Sequence, residues 1–460
     1  MINQSYDEIF TNFEEISNNF ERKNQYFDIL YDSSRYINII KDPTAEDISV
    51  NNKKSGVVAR TFDGTWNELA IDDFTNLKNI PDKLPKVVNK GEAIIEFEGW
   101  KLNKEIKPKI PFSDIPAEEK LQKIREIFNY VLNYDKRIIF CRIIYLEKEV
   151  TRIFVNNEGS QLRQVIPRVQ LLIYPIVKKG AKIDFDYFLT GGEMGFELFD
   201  QITNTKLEQV AKNSLDMREA KKPPSGKFPV ILDPGMAGTM AHESFGHGLE
   251  ADQVLRERSY LKDKINKKVA SEICNICDTP SIENELGSYF FDDEGLRAGK
   301  NVLVENGFLK NFIYDRRSAS VLNGNPQGNG RRESYAHVLH PRMSNTYFEP
   351  GDYKLDDMIS EVKEGVMIVK MFFGVEDPLG GGMQLSSKKG YLIENGEKTQ
   401  LLRSIALSGY VLDLLQDIDA ISKDDTNFYC GTCGKGHADL LPVTSGGSYI
   451  RIKKALISPG

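Results

Sequence analysis

Near the start of the chain Ile2, Tyr6, Ile9, Phe13, Ile16 and Phe20 recur every three or four residues, with Asn, Asp and Glu between them. That period predicts an amphipathic helix whose apolar stripe faces a core. The runs YFDILY and GVVARTF follow, rich in β-type residues, and Asp63-Gly64 predicts a turn after the second. Residues 1–100 are expected to form one small α/β unit. The Lys- and Pro-rich stretch 101–116 predicts a linker. Beyond Pro116, the side chains of Leu121, Ile124, Phe128, Val131 and Leu132 fall on one face of a helix. RIIFCRIIYL, TRIFVN and VIPRVQLLIYPIV then predict strands, with a hairpin turn at Asn157-Glu158-Gly159. A third helix over 201–220 completes a middle α/β unit, residues 115–222.

KKPPSGKFP at 221–229 predicts a second linker, and the pattern changes after it. Turn-dense stretches (VLNGNPQGNG, GGGM, SGG) separate short strand-like runs such as NVLVE, GVMIVKMFFGV and GYLIE. Residues 228–460 are expected to form a mostly β domain with one or two helices. The predicted fold class is therefore α+β, with α/β units at the N-terminus and a β-rich domain at the C-terminus.

A chain of 460 residues has room for two to four such units. Its composition, 40% apolar and 28% charged, is that of a soluble globular protein. A net charge of −7 offers no basic surface for phosphate, which argues against nucleic acid and anionic lipid as partners. MINQSYDEIFTNFEE lacks the basic start and apolar run of a signal peptide, and no apolar stretch has the ~18 residues of a membrane span. A cytoplasmic location is expected. Five cysteines, an odd number, fit a reducing compartment.

Two of the five histidines lie five positions apart, in AHESFGHGLE at 241–250, with Glu243 directly after His242. The zinc-peptidase pattern H-E-x-x-H has a gap one residue shorter. In a regular helix, positions i and i+5 diverge by about 140°. A metal shared by His242 and His247 therefore requires an overwide turn, a π-bulge, which Gly246 and Gly248 would ease. The competing reading is a solvated helix face. In a zinc peptidase two neutral imidazoles and a third ligand hold the ion, and a neighbouring carboxylate takes a proton from water. Glu243 is placed for that base role. For the third ligand the residues alone leave Glu250, Asp252 and the cysteines open. Cys274 and Cys277, in ASEICNICDTP, fit a buried strand or helix edge, whereas Cys433 lies in a Gly-rich turn, Cys430-Gly431-Thr432-Cys433.

Glycines beside β-type runs, Gly328 and Gly330 before Arg331-Arg332 and Gly380–Gly382 after GVMIVKMFFGV, suit a strand edge that pairs with an extended peptide. Gly330, Arg331 and Arg332 are candidate substrate contacts, the arginines for a peptide carboxylate, with a structural ion pair as the alternative.

The stretch from His242 to Asp252 resembles the HE-x-x-GHGLE-x-D signature of the TldD/PmbA (TldD/TldE) metallopeptidases. SGVVARTFDGTW at 55–66, FFDDEG at 290–295, GNGRRESY at 328–335 with PRMSNTY at 341–347, and GTCGKG at 431–436 agree in order. The resemblance spans the chain and implies a zinc-dependent peptidase of the catalytic type, since inactive partner subunits lack the His-Glu motif. It implies that Cys433 completes the site with His242 and His247, one Zn²⁺ per active subunit. It further implies short or unfolded peptides as substrates and a homodimer, or a heterodimer with a second family member. The older description of such proteins as gyrase modulators supplies the alternative, a non-enzymatic regulator. One departure is His437, where family members often carry Gln.

Overall fold

A computed structural model describes residues 6–18, 20, 26–72, 74, 77–84, 94–180, 182–424, 426–436 and 439–460. The expected first helix is α1 (Tyr6–Asn18), with Ile9, Phe13 and Ile16 buried against the sheet beneath it; Ile2 lies outside the described residues. Four strands follow: β1 (Tyr26–Lys41), β2 (Glu46–Phe62), β3 (Trp66–Ile71) and β4 (Lys101–Glu105). The helix after Pro116 is α2 (Ala117–Leu132), and the long hairpin after it is β5 (Ile138–Asn156) and β6 (Gln161–Lys179). Two short strands, β7 (Lys182–Phe185) and β8 (Phe188–Gly192), pair with β6 ahead of α3 (Asn204–Met217).

These strands form one sheet in the order β3-β2-β1-β5-β6-β4. The segments expected as separate N-terminal and middle units thus share a continuous ladder, because β1 pairs with β5 along most of its length. Two expectations are corrected. RIIFCRIIYL and TRIFVN are one 19-residue strand, because alternation continues through the polar LEKEV between them. There Glu147 is buried, accepting from Lys120 Nζ at 2.6 Å and from the Tyr145 hydroxyl at 2.7 Å. The 101–116 stretch is only partly a linker, since β4 within it adds parallel to β6. The turns at Gly64 and Gly159 have φ of 98° and 97°, as hairpin glycines can.

The second half begins with β9 (Gly226–Leu232), which takes up the end of the expected 221–229 linker, and α4 (Pro234–Thr239). Next come β10 (Ile276–Asp278), β11 (Asn301–Glu305), β12 (Phe308–Leu309) and β13 (Asn345–Phe348). The remaining strands are β14 (Glu364–Glu376), β15 (Gly382–Glu394), β16 (Glu397–Tyr410), β17 (Ile418–Ile421), β18 (Asn427–Lys435), β19 (Asp439–Gly447) and β20 (Ile450–Pro459). One sheet runs β16-β15-β14-β9-β20-β17, and a further β16–β20 pairing closes five of its strands into a barrel. The other runs β12-β11-β10-β13-β19-β18. The described residues hold more helical segments here than the one or two expected. They include short segments such as Arg316–Leu322, seven residues held by the Asp315 capping box and too short to leave a periodic signal.

The halves meet through buried charge. Arg60 of β2 reaches Glu294 at 2.9 Å, and Arg152 of β5 pairs with Asp293. The FFDDEG stretch is therefore an interdomain clamp, and Trp100 Nε1 donates to Gly295 O at 2.8 Å beside it.

Candidate metal centre

Pro234 sits at the first turn of α4, where its missing N–H is no loss, and the Asp233 carboxylate caps the helix by accepting from Met236 N at 2.8 Å. The helix then widens into a π turn over Met240–Gly246. Its closing bond runs from His247 N to His242 O, an i→i+5 bond. That one wide turn brings the two imidazoles to one face, with ring centroids 5.3 Å apart. Gly246 contributes room rather than an unusual backbone angle. Its φ is −61°, but a Cβ there would stand 2.1 Å from Met343 Sδ.

The third side chain arrives from far along the chain. A Cβ on Gly238 of α4 would lie 2.0 Å from Gly446 N, so helix and β19 touch backbone to backbone. This packing holds the β18–β19 hairpin against the helix and directs Cys433 of β18 at the imidazoles, with Sγ 3.5 Å from His247 Nε2. The ligand atoms of His242, His247 and Cys433 all lie within 4.8 Å of one another.

The electrostatics match a thiolate among imidazoles. Burial alone would raise the Cys433 thiol, but the adjacent His242 and His247 outweigh it and hold it well below its ordinary range. Burial would likewise depress both histidines, yet Cys433 raises His242, while Glu250 and Cys433 raise His247. His242 Nδ1 is buried without a hydrogen-bond partner among the described residues. Two imidazoles and a thiolate are donors that zinc favours, so the residues present fit that ion.

Behind His247, Nδ1 faces Glu250 Oε2 at 3.3 Å. Lys435 Nζ lies 2.9 Å from Glu250 and 2.7 Å from Asp252. Burial would raise Glu250, but Lys435 and then His247 outweigh it and keep its carboxyl well below the usual range. Of the residues open as third ligands from the sequence, Glu250 thus stands behind His247 and orients it, and Asp252 reaches Lys435. The Lys435 contribution was not anticipated; its signal was the lysine two residues after Cys433.

Glu243 is partly exposed and, with His242, lines a cavity of about 370 Å³ bounded by Tyr187, Lys370, Tyr429 and Thr432. Its Oε2 lies 3.8 Å from His247 Nε2. The expected substrate contacts Gly330, Arg331 and Arg332 do not reach this cavity. Arg332 is buried and pairs with Glu68 at 2.8 Å, the structural ion pair offered as the alternative. Arg331 donates to the carbonyls of Met343 and Pro442, and Gly330 N donates to Asp292. Cys274 and Cys277 are buried, Cys277 on β10, and burial raises both thiols to about 12. His437 lies outside the described residues.

Comparison with known proteins gives a consistent result. Residues 110–218 match the PmbA/TldA metallopeptidase central domain, and residues 225–459 match the C-terminal domain. A metalloprotease of Methanocaldococcus jannaschii is 35% identical, over 90% of this chain and 92% of its own. A zinc metalloprotease TldD homolog of Saccharolobus solfataricus is 31% identical, over 73% of this chain and 75% of its own. Among solved structures, a proposed modulator of DNA gyrase from Thermotoga maritima superposes with a TM-score of 0.79 at 20% identity, covering 98% of this chain and 100% of that one. TldE from Thermococcus kodakarensis gives 0.71 at 18%, covering 98% and 99%. At those identities the likeness concerns the fold.

Proposed function

The chain belongs to the TldD/PmbA metallopeptidase family, and on that premise we propose that it is a zinc-dependent peptidase acting on short or unfolded peptides. The observation that carries this reading is the π turn, which turns a five-residue spacing into a converging pair of imidazoles opposite the Cys433 thiolate. His242, His247 and Cys433 would hold one zinc ion. When bound, that ion supplies Lewis acidity toward a peptide carbonyl and toward water at neutral pH. Glu243 is the proton acceptor, anchored one residue from His242 and open to the cavity. Glu250 fixes the His247 ring, and Lys435 keeps Glu250 charged.

An extended substrate is supported by the edge of β14. This strand pairs with β9 only over Val366–Ile368, and beyond Ile368 no strand covers that edge among the described residues. Gly374 on the uncovered stretch lies against the Glu243 side chain. A peptide added there would be read mainly through its backbone. Phe372, Phe373, Val375 and Leu379 leave exposed apolar surface beside the cleft, which supports a paired assembly with itself or a second family member.

The test combines metal analysis with cleavage of a linear peptide by wild type and Glu243→Ala. The variant should keep its zinc and lose roughly 10²–10⁴ in turnover. Normal turnover by the zinc-loaded variant would end the assignment of Glu243. Equal cleavage of one sequence as a free peptide and within a stable fold would end the extended-substrate reading.

A further inference from the structure

A second cavity, about 430 Å³, lies between the N-terminal sheet and the C-terminal half and adjoins the Glu243 cavity at Thr432, which lines both. That volume falls within the roughly 300–1,000 Å³ of small-molecule sites. One wall is a single face of two strands. Leu146, Lys148, Val150 and Arg152 alternate along β5, and Gln164, Ile166, Arg168 and Gln170 alternate along β6. A face packed against another layer is ordinarily apolar, yet this one carries three cations. Arg331 and Arg332 enter from the opposite side, together with the apolar Leu286, Tyr289 and Leu441.

The charges around the cavity pair unevenly. Arg152 pairs with Asp293 and Asp32, and Arg332 with Glu68, although Arg332 Nε is left without a partner in a side chain that is 0% exposed. Asp292 accepts from the backbone N–H groups of Glu294, Leu296 and Gly330, and Glu333 from Leu440 N. Three cations then remain without a hydrogen-bonded carboxylate. Among the described residues Arg331, 5% exposed, gives hydrogen bonds only to the Met343 and Pro442 carbonyls, and it lies over the Tyr289 ring. Arg168 donates to the Leu286 and Ser288 carbonyls, and its nearest carboxylate, Glu193, is 3.8 Å away. Lys148 Nζ has no hydrogen-bond or ion-pair partner among the described residues. Burial pulls Lys148, Arg168 and Arg331 down from their ordinary ranges; Asp32 and Glu193 oppose this at Lys148 and Arg168, and neighbouring arginines add to it, Arg152 and Arg168 at Lys148, Arg331 and Arg152 at Arg168, and Arg342 at Arg331. Buried cations without a hydrogen-bonded carboxylate, in a largely apolar cavity, favour one kind of guest, an anion that brings apolar surface with it.

We propose that this cavity binds a carboxylate carried on an apolar body, held by Lys148, Arg168 and Arg331. Each arginine keeps unused N–H donors after its carbonyl bonds, and together with the ammonium they can surround both oxygens of a carboxylate. Two sources share this chemistry: the C-terminus of a peptide, which follows only if the peptidase reading holds, and a free organic acid.

The experiment is titration calorimetry on chelator-treated Glu243→Ala protein, which removes both turnover and carboxylate binding to a metal. The probes are N-acetyl-leucine, its neutral amide, and an N-acetylated apolar tetrapeptide with a free or an amidated C-terminus. The acids should bind at least about tenfold tighter than the matching amides. Lys148→Met and Arg168→Met should each abolish most of that preference. Lys148→Met removes an unpartnered cation, so its melting temperature should hold or rise, which keeps the binding result interpretable. A tetrapeptide acid tighter than N-acetyl-leucine identifies the peptide C-terminus as the source; equal or weaker binding identifies a free acid. Equal affinity for acid and amide, no binding at millimolar concentration, or a preference unchanged in Lys148→Met would overturn the proposal. None of these outcomes depends on whether the zinc-loaded enzyme cleaves peptides.

Discussion

Two clusters of buried charge show how differently this chain uses the same chemistry. In the N-terminal sheet Lys120 and Glu147 meet at 2.6 Å, Lys120 also donates to Phe112 O, and the Tyr145 hydroxyl donates to Glu147. Both carboxylate oxygens have a donor, and the cluster is closed. At the metal centre the ligand atoms of His242, His247 and Cys433 approach within 4.8 Å, Sγ and Nε2 stand 3.5 Å apart, and His242 Nδ1 has no hydrogen-bond partner among the described residues. Those groups leave a gap between them. A closed cluster supports the fold by satisfying itself, whereas an open one has capacity for something that is not protein.

The largest expected effect is at the open cluster. Cys433→Ser should weaken zinc binding by more than the roughly 10–100-fold that follows loss of an outer-layer partner, and peptide cleavage should fall with it. Full zinc occupancy and activity in that variant would remove Cys433 from the site. The closed cluster should respond in stability alone. Lys120→Met leaves Glu147 charged and unpaired in the core, and chemical denaturation should show a loss of about 3–5 kcal/mol with zinc content unchanged. Pairing it with Glu147→Leu should recover most of that loss; failure to recover would mean the pair does more than satisfy itself. Glu193 is a half-open case. Burial raises its carboxyl to about 7 against the pull of Arg168, and one of its oxygens accepts no hydrogen bond among the described residues. Below about pH 4.5 it is protonated folded and unfolded alike. As pH climbs toward 7 the unfolded chain releases its proton first, so the folded state loses stability across that window. Glu193→Gln should flatten this part of the stability–pH curve, gaining about 3 kcal/mol at pH 8 relative to pH 4. An unchanged slope would show that Arg168 already neutralises it. The smallest effect is Tyr145→Phe, which removes one donor from Glu147 and should cost about 1–2 kcal/mol in the same assay.

The two regions also differ in how far the sequence revealed them. β-type runs made parts of β1, β5 and β6 legible, with β5 read as two strands, and the hairpin at Gly159 carried its own turn signal. The single ladder through β1 and β5 was not legible, because the partner of a strand is chosen by tertiary packing. At the metal centre, helical geometry alone forced the choice between a π turn and a chance pairing of histidines. The position of Cys433 came from a resemblance. Its physical cause, the contact of Gly238 with Gly446, joins residues with no shared local pattern. Arg331 and Arg332 were visible as a pair, but their partners were not, since Glu68 lies on a strand of the other half. The cationic wall was hidden because Lys148 and Arg168 sit at alternate strand positions, where the same letters describe a solvated face.

His247 and Cys433 are separated by 186 residues, and the hairpin that carries the thiol is held by backbone packing against α4. Closing a contact so distant along the chain costs loop entropy that the packed fold repays. A nascent or partly unfolded copy therefore lacks a complete ligand set. For an enzyme proposed to degrade unfolded chains, this timing has a protective value. On that proposed function, the protein would cut peptides only once it has itself ceased to be one of its own substrates.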